Sequence, residues 1–295
     1  MATLNIKGCG PALVTPFHED GSLDLDTMNA LVEFQISEGS DFLTPCGTTG
    51  ESVTLSFEEH CQVVQTVVNA ANGRVPVIAG AGGYSTAKVI DMAKQISDLG
   101  VDALLSVAPY YNKPSQEGLY QHFKAIAESV DIPIILYNVP GRTSSNILPT
   151  TMVRLAEIDN IIGVKEATGN ISQISDQSMS IPDDFIVLSG DDANTLPLIS
   201  LGASGLISVA ANEIPKSMNQ LTHLCLEGKF NEAAKFQKML YPLLKANFLE
   251  ANPIPVKYAL ARMGKIEEIY RLPLVPLSDD NKKRMDKVLK DLNLI

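Results

Sequence analysis

The sequence predicts an α/β fold, a closed (β/α)8 TIM barrel with an additional C-terminal helical region, and three observations lead there. Eight short apolar runs recur along the chain, each followed by an amphipathic stretch. The runs are continuous rather than alternating, as expected of parallel strands covered on both faces. After Asn212 the pattern turns wholly helical.

The runs fall at 10–17, 41–47, 75–82, 103–110, 133–139, 161–167, 185–192 and 205–212. Helical patterns at 28–36, 60–71, 87–100 and 118–130 follow the first four, and Gly39, Gly73 and Gly100 stand where a left-handed helix cap is wanted. Eight strands alternating with helices allow a closed barrel or an open doubly wound sheet, and the count and even spacing favour the barrel. No GxGxxG opens the first unit, and GAGGYS at 80–85 lacks the glycine spacing and the downstream acid of a dinucleotide site. Helices are expected at 215–227, 230–249, 255–263 and 279–292. The first completes the last βα unit. The chain therefore divides into a barrel over 1–225 and a helical extension over 226–295 packed on it as one structural unit.

A net charge of −11 and a pI near 4.8 disfavour nucleic acid and anionic membrane surfaces as partners. The basic residues Lys282, Lys283, Arg284, Lys287 and Lys290 alternate with acids on one helix and read as a solvated face. Cys9, Cys46, Cys61 and Cys225 form no CxxC or Cys/His pattern, which points to reduced thiols and no metal site. The first 17 residues lack the layout of a signal peptide, and no run of 18 apolar residues offers a membrane span. A soluble cytoplasmic protein is expected.

Barrel enzymes gather their chemistry at the C-terminal strand ends. Reading those ends gives Thr48 and Thr49, then Tyr110 and Tyr111, Tyr137, Lys165, Gly190, and Ile207. Lys165 ends a run whose pattern demands burial, so it must pair, snorkel or lose its proton. An ion pair with Glu166 or with an acid on a neighbouring strand is one reading. An imine-forming nucleophile is the other, because desolvation raises the fraction of neutral amine. Tyr137, ending the preceding strand, could pass protons to such a site. The Gly-flanked Thr48 and Thr49 could offer donors to a carboxylate, and Arg142 could clamp a second one.

Taken in order, GPALVTPF, GTTGES, PYYNKPSQEGLYQHF, YNVPGRT, IIGVKEATGN, LSGDD, ISVAAN and NPIPVKYAL resemble the dihydrodipicolinate synthase/N-acetylneuraminate lyase family of class I aldolases. The resemblance covers essentially the whole chain. It implies a cofactor-free condensation of pyruvate with L-aspartate 4-semialdehyde through a Schiff base on Lys165. Tyr137 becomes the general acid/base, relayed through Thr48 and Tyr111. Thr49 and Ile207 become contacts for pyruvate, Gly190 a substrate-binding position, and Arg142 the holder of the semialdehyde carboxylate. The resemblance also implies a homo-oligomer, a dimer of dimers, in which Tyr111 reaches the neighbouring subunit's site. An N-acetylneuraminate lyase or sugar-acid aldolase is the alternative within the family, and a keto-acid sensor without turnover the alternative outside it. Arg142 favours the synthase, and the complete relay argues against a sensor.

Many family members bind lysine as an inhibitor in an interface pocket. The corresponding positions here are Ser52, Val53, Leu55, Phe57, His60, Tyr84, Lys88 and Tyr110. Lys88 would set a cation against the ammonium of that effector, so weak or absent lysine inhibition is expected.

Overall fold

The computed structural model describes Leu4 and residues 6–295, so the expectation for the first 17 residues lies partly outside what is described. Seven parallel strands form one sheet: β1 (Gly8–Pro11), β2 (Ile78–Gly80), β3 (Ala103–Val107), β4 (Ile134–Asn138), β5 (Ile161–Glu166), β6 (Ile186–Ser189) and β7 (Gly205–Ser208). Their order is β1-β7-β6-β5-β4-β3-β2. The expected second strand, 41–47, closes the gap between β1 and β2 without becoming a strand. Thr44 bridges Ala12 and Leu43 bridges Val77, both in parallel. Backbone bonds run from Leu13 N–H to Thr44 O (2.9 Å) and from Ile78 N–H to Leu43 O (2.8 Å). Bonding continues once more on the β2 side, from Gly80 N–H to Pro45 O (3.0 Å), and ends where Pro45 has no N–H to donate and Cys46 turns to φ +56°. This segment is the eighth stave of the barrel, hydrogen-bonded to both neighbours without forming a regular strand.

The helices are α1 (Leu25–Ser37), α2 (Phe57–Ala71), α3 (Thr86–Ser97), α4 (Gln116–Ala127), α5 (Pro140–Thr143), α6 (Pro149–Ala156), α7 (Ile171–Ser178), α8 (Thr195–Ser200), α9 (Pro215–Leu226), α10 (Phe230–Ala246), α11 (Ile254–Arg262) and α12 (Asp279–Asp291). α2 opens with a capping box, Ser56 Oγ accepting from Glu59 N–H while Glu59 accepts from Ser56 N–H. Gly39, Gly73 and Gly100 take φ of +91°, +68° and +83°, as the helix ends require.

Two apolar layers result from the period-two alternation of the strands. Ala12, Phe42, Ile78, Leu105, Ile135, Tyr137, Leu188 and Ile207 turn into the cylinder. Leu43, Ala79, Leu104, Leu136, Val164, Val187 and Leu206 turn outward and meet the helices. β-strands of three to six residues suffice because each is sealed on both faces. No helix among the described residues is long and apolar enough to cross a membrane.

Candidate active site

Strand register decides which side chains share the mouth of the barrel. Val107 pairs with Tyr137, Tyr137 with Lys165, and Lys165 with Leu188. These four therefore form one inward layer across β3 to β6. Lys165 Nζ stands 4.4 Å from the centroid of the Tyr137 ring. Its side chain is buried, and no ion pair to it occurs among the described residues. Glu166 points to the opposite face, accepting from Asn138 Nδ2 (3.3 Å) and Thr168 N–H (2.8 Å). The ion-pair reading of Lys165 with Glu166 is thus excluded by the alternation itself.

An unpaired ammonium in an apolar layer is costly, and burial lowers the Lys165 pKa to about 8; the Asp192 carboxylate opposes that shift and Arg142 adds to it. The lysine stem runs against bare backbone. A Cβ at Gly190 would lie 3.0 Å from Lys165 Cε and 3.1 Å from its Cγ, so any larger residue there would displace the amine. Burial raises the Tyr137 phenol, while Arg142 and a hydrogen bond with the Thr48 side chain pull it down. The phenol is protonated near neutrality and sits between the amine and a second hydroxyl.

The turn carrying Thr48 and Thr49 is closed by Gly50 N–H to Gly47 O and Glu51 N–H to Thr48 O, both 3.1 Å. It lies directly across β2, where only glycine fits: a Cβ at Gly80 would come within 2.0 Å of Cys46 O. Thr48 lines the cavity at the barrel mouth. Thr49 is buried beneath it, its Oγ1 accepting from Asn252 Nδ2 at 3.0 Å. Ile207 is buried inside the cylinder beside Gly10. Arg142, on the single turn α5, is exposed, lines the same cavity and has no carboxylate partner among the described residues.

Tyr111 stands apart. It is 90% exposed at φ +70° and does not line the cavity of its own chain.

The cavity has a volume of about 590 Å³ and extends from Tyr137 and Arg142 outward to Ser52, His60, Tyr84, Lys88 and Tyr110. Tyr84 and Tyr110 meet edge to face at 5.2 Å. His60 Nε2 bonds Gly80 O at 2.8 Å, and burial lowers its pKa, so it is neutral there. Among the described residues, no Asp or Glu lines this space.

Three buried polar neighbours of the site were given no role from the sequence, although Asp192 stands at the strand end LSGDD. Asn252 bonds Thr49. Lys257 is fully buried and pairs with Glu51 at 2.7 Å. Asp192, also buried, accepts from Ser208 Oγ and from the N–H groups of Val209 and Ala210. Burial pushes its pKa up to about 6, against the bond from Ser208. Lys257 carried the signal that made Lys165 stand out, a lysine in an apolar segment, here Ile254-Pro255-Val256-Lys257-Tyr258. Asn252 opens the NPIPVKYAL motif of the family resemblance, which gave it no role. Among the described residues, no three His, Cys, Asp or Glu side chains cluster as metal ligands would. The arrangement offers a partly neutral amine, an adjacent protonated phenol relayed to a hydroxyl, and a free guanidinium at the rim. That set suits imine chemistry on a small carboxylated carbonyl compound.

Similarity to known proteins extends over essentially the whole chain. Residues 5–292 match the model of the dihydrodipicolinate synthetase family. A 4-hydroxy-tetrahydrodipicolinate synthase from Koribacter versatilis (strain Ellin345) is 51% identical over 293 residues, covering 99% of this chain and 98% of that one. The crystal structure of dihydrodipicolinate synthase from Aquifex aeolicus superposes with a TM-score of 0.96 at 46% identity, covering 98% of this chain and 99% of that one. The chloride-inhibited dihydrodipicolinate synthase from Acinetobacter baumannii, solved with pyruvate, gives 0.97 at 45% identity, covering 99% of this chain and all of the other.

Proposed function

Because this chain belongs to the dihydrodipicolinate synthetase family, we propose that it condenses pyruvate with L-aspartate 4-semialdehyde to 4-hydroxy-tetrahydrodipicolinate, as a lyase of lysine and diaminopimelate biosynthesis. The observation that carries the reading is the Lys165 amine, buried, without a counter-ion and 4.4 Å from the Tyr137 ring.

The neutral amine attacks the keto carbon of pyruvate. The Tyr137 phenol gives a proton to the departing hydroxyl, water leaves, and an imine remains on Lys165. The phenolate then removes a methyl proton to form the enamine. The enamine carbon attacks the aldehyde, making the new C–C bond, and the aldehyde oxygen is protonated through the Thr48 relay. The amino group of the former semialdehyde displaces Lys165 from the imine carbon and closes the ring. Thr49, Ile207 and Gly190 surround the pyruvate end, and Arg142 takes the semialdehyde carboxylate in a bidentate pair. Tyr111, turned away from its own cavity, completes the relay of a neighbouring copy in a homo-oligomer, a dimer of dimers. No step requires a cofactor or a metal. The protein works in the cytoplasm. The division into a barrel over 1–225 and an extension over 226–295 belongs to the same proposal, the buried contacts of Asn252 and Lys257 joining the two as one unit.

Borohydride reduction in the presence of pyruvate, followed by peptide mass mapping, tests the chemistry. A reduced adduct on the Lys165 peptide is expected, and its absence or a different site would overturn the mechanism. An assay of L-aspartate 4-semialdehyde against N-acetylmannosamine tests the substrate, with turnover expected for the first alone.

A further inference from the structure

The Thr48–Thr49 turn is held by residues from the C-terminal extension. Asn252, 7% exposed and just ahead of α11, donates Nδ2–H to Thr49 Oγ1 at 3.0 Å. Lys257 on α11 holds Glu51 at 2.7 Å and donates to Thr15 O at 3.1 Å. Thr15 Oγ1 in turn donates to Gly50 O at 2.7 Å. Positions 49, 50 and 51 are therefore each fixed by a separate buried contact. Glu51 stays at φ +52°, a backbone state a non-glycine residue holds only when its surroundings impose it.

A threonine hydroxyl has one hydrogen to give and two lone pairs to receive. The Asn252 N–H fills one lone pair. Asn252 Oδ1 is buried without a partner, so Thr49 does not return its hydrogen to that amide. The hydrogen is left for a group on the other side. An anion needs a donor there, because a hydroxyl presenting its lone pairs would repel it.

We propose that Asn252 is a positioning residue that sets the polarity of the Thr49 hydroxyl, so that Thr49 meets the keto acid's carboxylate as a donor. This rests on the reading of Thr49 as a pyruvate contact. Lys257 and Glu51 keep the turn at the height where Asn252 reaches it. The extension thereby acts on ligand affinity through a single hydrogen bond, with no contact to the reacting carbon.

The test compares wild type, Asn252→Leu, Asn252→Asp, Thr49→Val and the Thr49→Val/Asn252→Leu double variant. For each, the pyruvate concentration giving half-maximal borohydride trapping is measured, with the semialdehyde KM and a thermal melt alongside. Asn252→Leu is expected to raise the half-saturating pyruvate concentration by roughly tenfold or more, the scale of a lost hydrogen bond to a charged group. Asn252→Asp raises it further, since an ionised aspartate accepts the Thr49 hydrogen and repels the carboxylate. The semialdehyde KM stays within about twofold, and in the Thr49→Val background Asn252→Leu adds less than about twofold, because the hydroxyl it acts through is gone. Unchanged pyruvate affinity in Asn252→Leu, or the same loss in both backgrounds, overturns the proposal. Should Asn252→Leu fail to fold, the near-isosteric Asn252→Asp decides, and wild-type affinity in that variant overturns it equally. A wild-type protein that traps no pyruvate would remove the proposed function and this inference together, whereas a trapping wild type with indifferent Asn252 variants removes only the inference.

Discussion

Replacing Lys165 with methionine should abolish turnover and yet make the protein more stable. The side chain keeps its length and loses only the ionisable group. In the fold the amine titrates at about 8, against an ordinary value of 10.5, because burial disfavours its charged form. A folded value below the unfolded one means that the folded state binds fewer protons between pH 8 and 10.5, so this group's contribution improves as pH rises through that window and is at its worst below pH 8. At pH 7 the penalty is about 3 kcal/mol, with roughly a tenth of the amine neutral. Methionine carries no such penalty, so Lys165→Met should unfold about 5 °C higher at pH 7 in a chain of this size. Urea unfolding followed by circular dichroism at pH 7 and pH 9.5 measures the gap, which should fall to about half at the higher pH. A variant less stable than wild type at pH 7, or a gap that ignores pH, would refute the claim that an uncompensated buried amine is held here.

Other outcomes follow from the same geometry. Arg142→Ala should raise the semialdehyde KM by roughly 10- to 100-fold while changing that of pyruvate far less, the loss of a charge-assisted pair; equal losses for both would give Arg142 another role. Free lysine should inhibit weakly or not at all, because Lys88 and Arg142 are the cations on a cavity wall that holds no acidic side chain; half-inhibition at submillimolar lysine in a steady-state assay would contradict this. Lys257→Met should cost about 3–5 kcal/mol in unfolding free energy by stranding Glu51 in the interior, with part recovered in the Glu51→Gln/Lys257→Met double variant. No recovery in the double variant would mean that the loss is one of packing.

Much of this was legible in the sequence because parallel strands write both of their faces in apolar residues. The runs around Leu104, Ile135 and Val164 located β3, β4 and β5, and register alone then placed Tyr137 beside Lys165. Residues 41–47 satisfied the same apolar pattern and still made only single bridges, because the limits lie in backbone chemistry at Pro45 and Cys46 rather than in hydropathy. The role of Asn252 was illegible for a different reason. Its partner Thr49 is 203 positions away, and no local periodicity records a hydrogen bond across that separation. Lys257 was legible in principle, since a lysine flanked by Val256 and Tyr258 raises the same question as Lys165. The two differ in their answers: one has a carboxylate at 2.7 Å and the other has none.

The stave at 42–45 has a mechanical consequence. A cylinder sewn along six full seams, with its remaining stave stitched to each neighbour by three backbone bonds, carries any movement of that stave straight into the turn bearing Thr48 and Thr49. The clamps reaching over from Asn252 and Lys257 hold that same turn, so the tail of the chain serves as the buckle for a joint that its own beginning stitches.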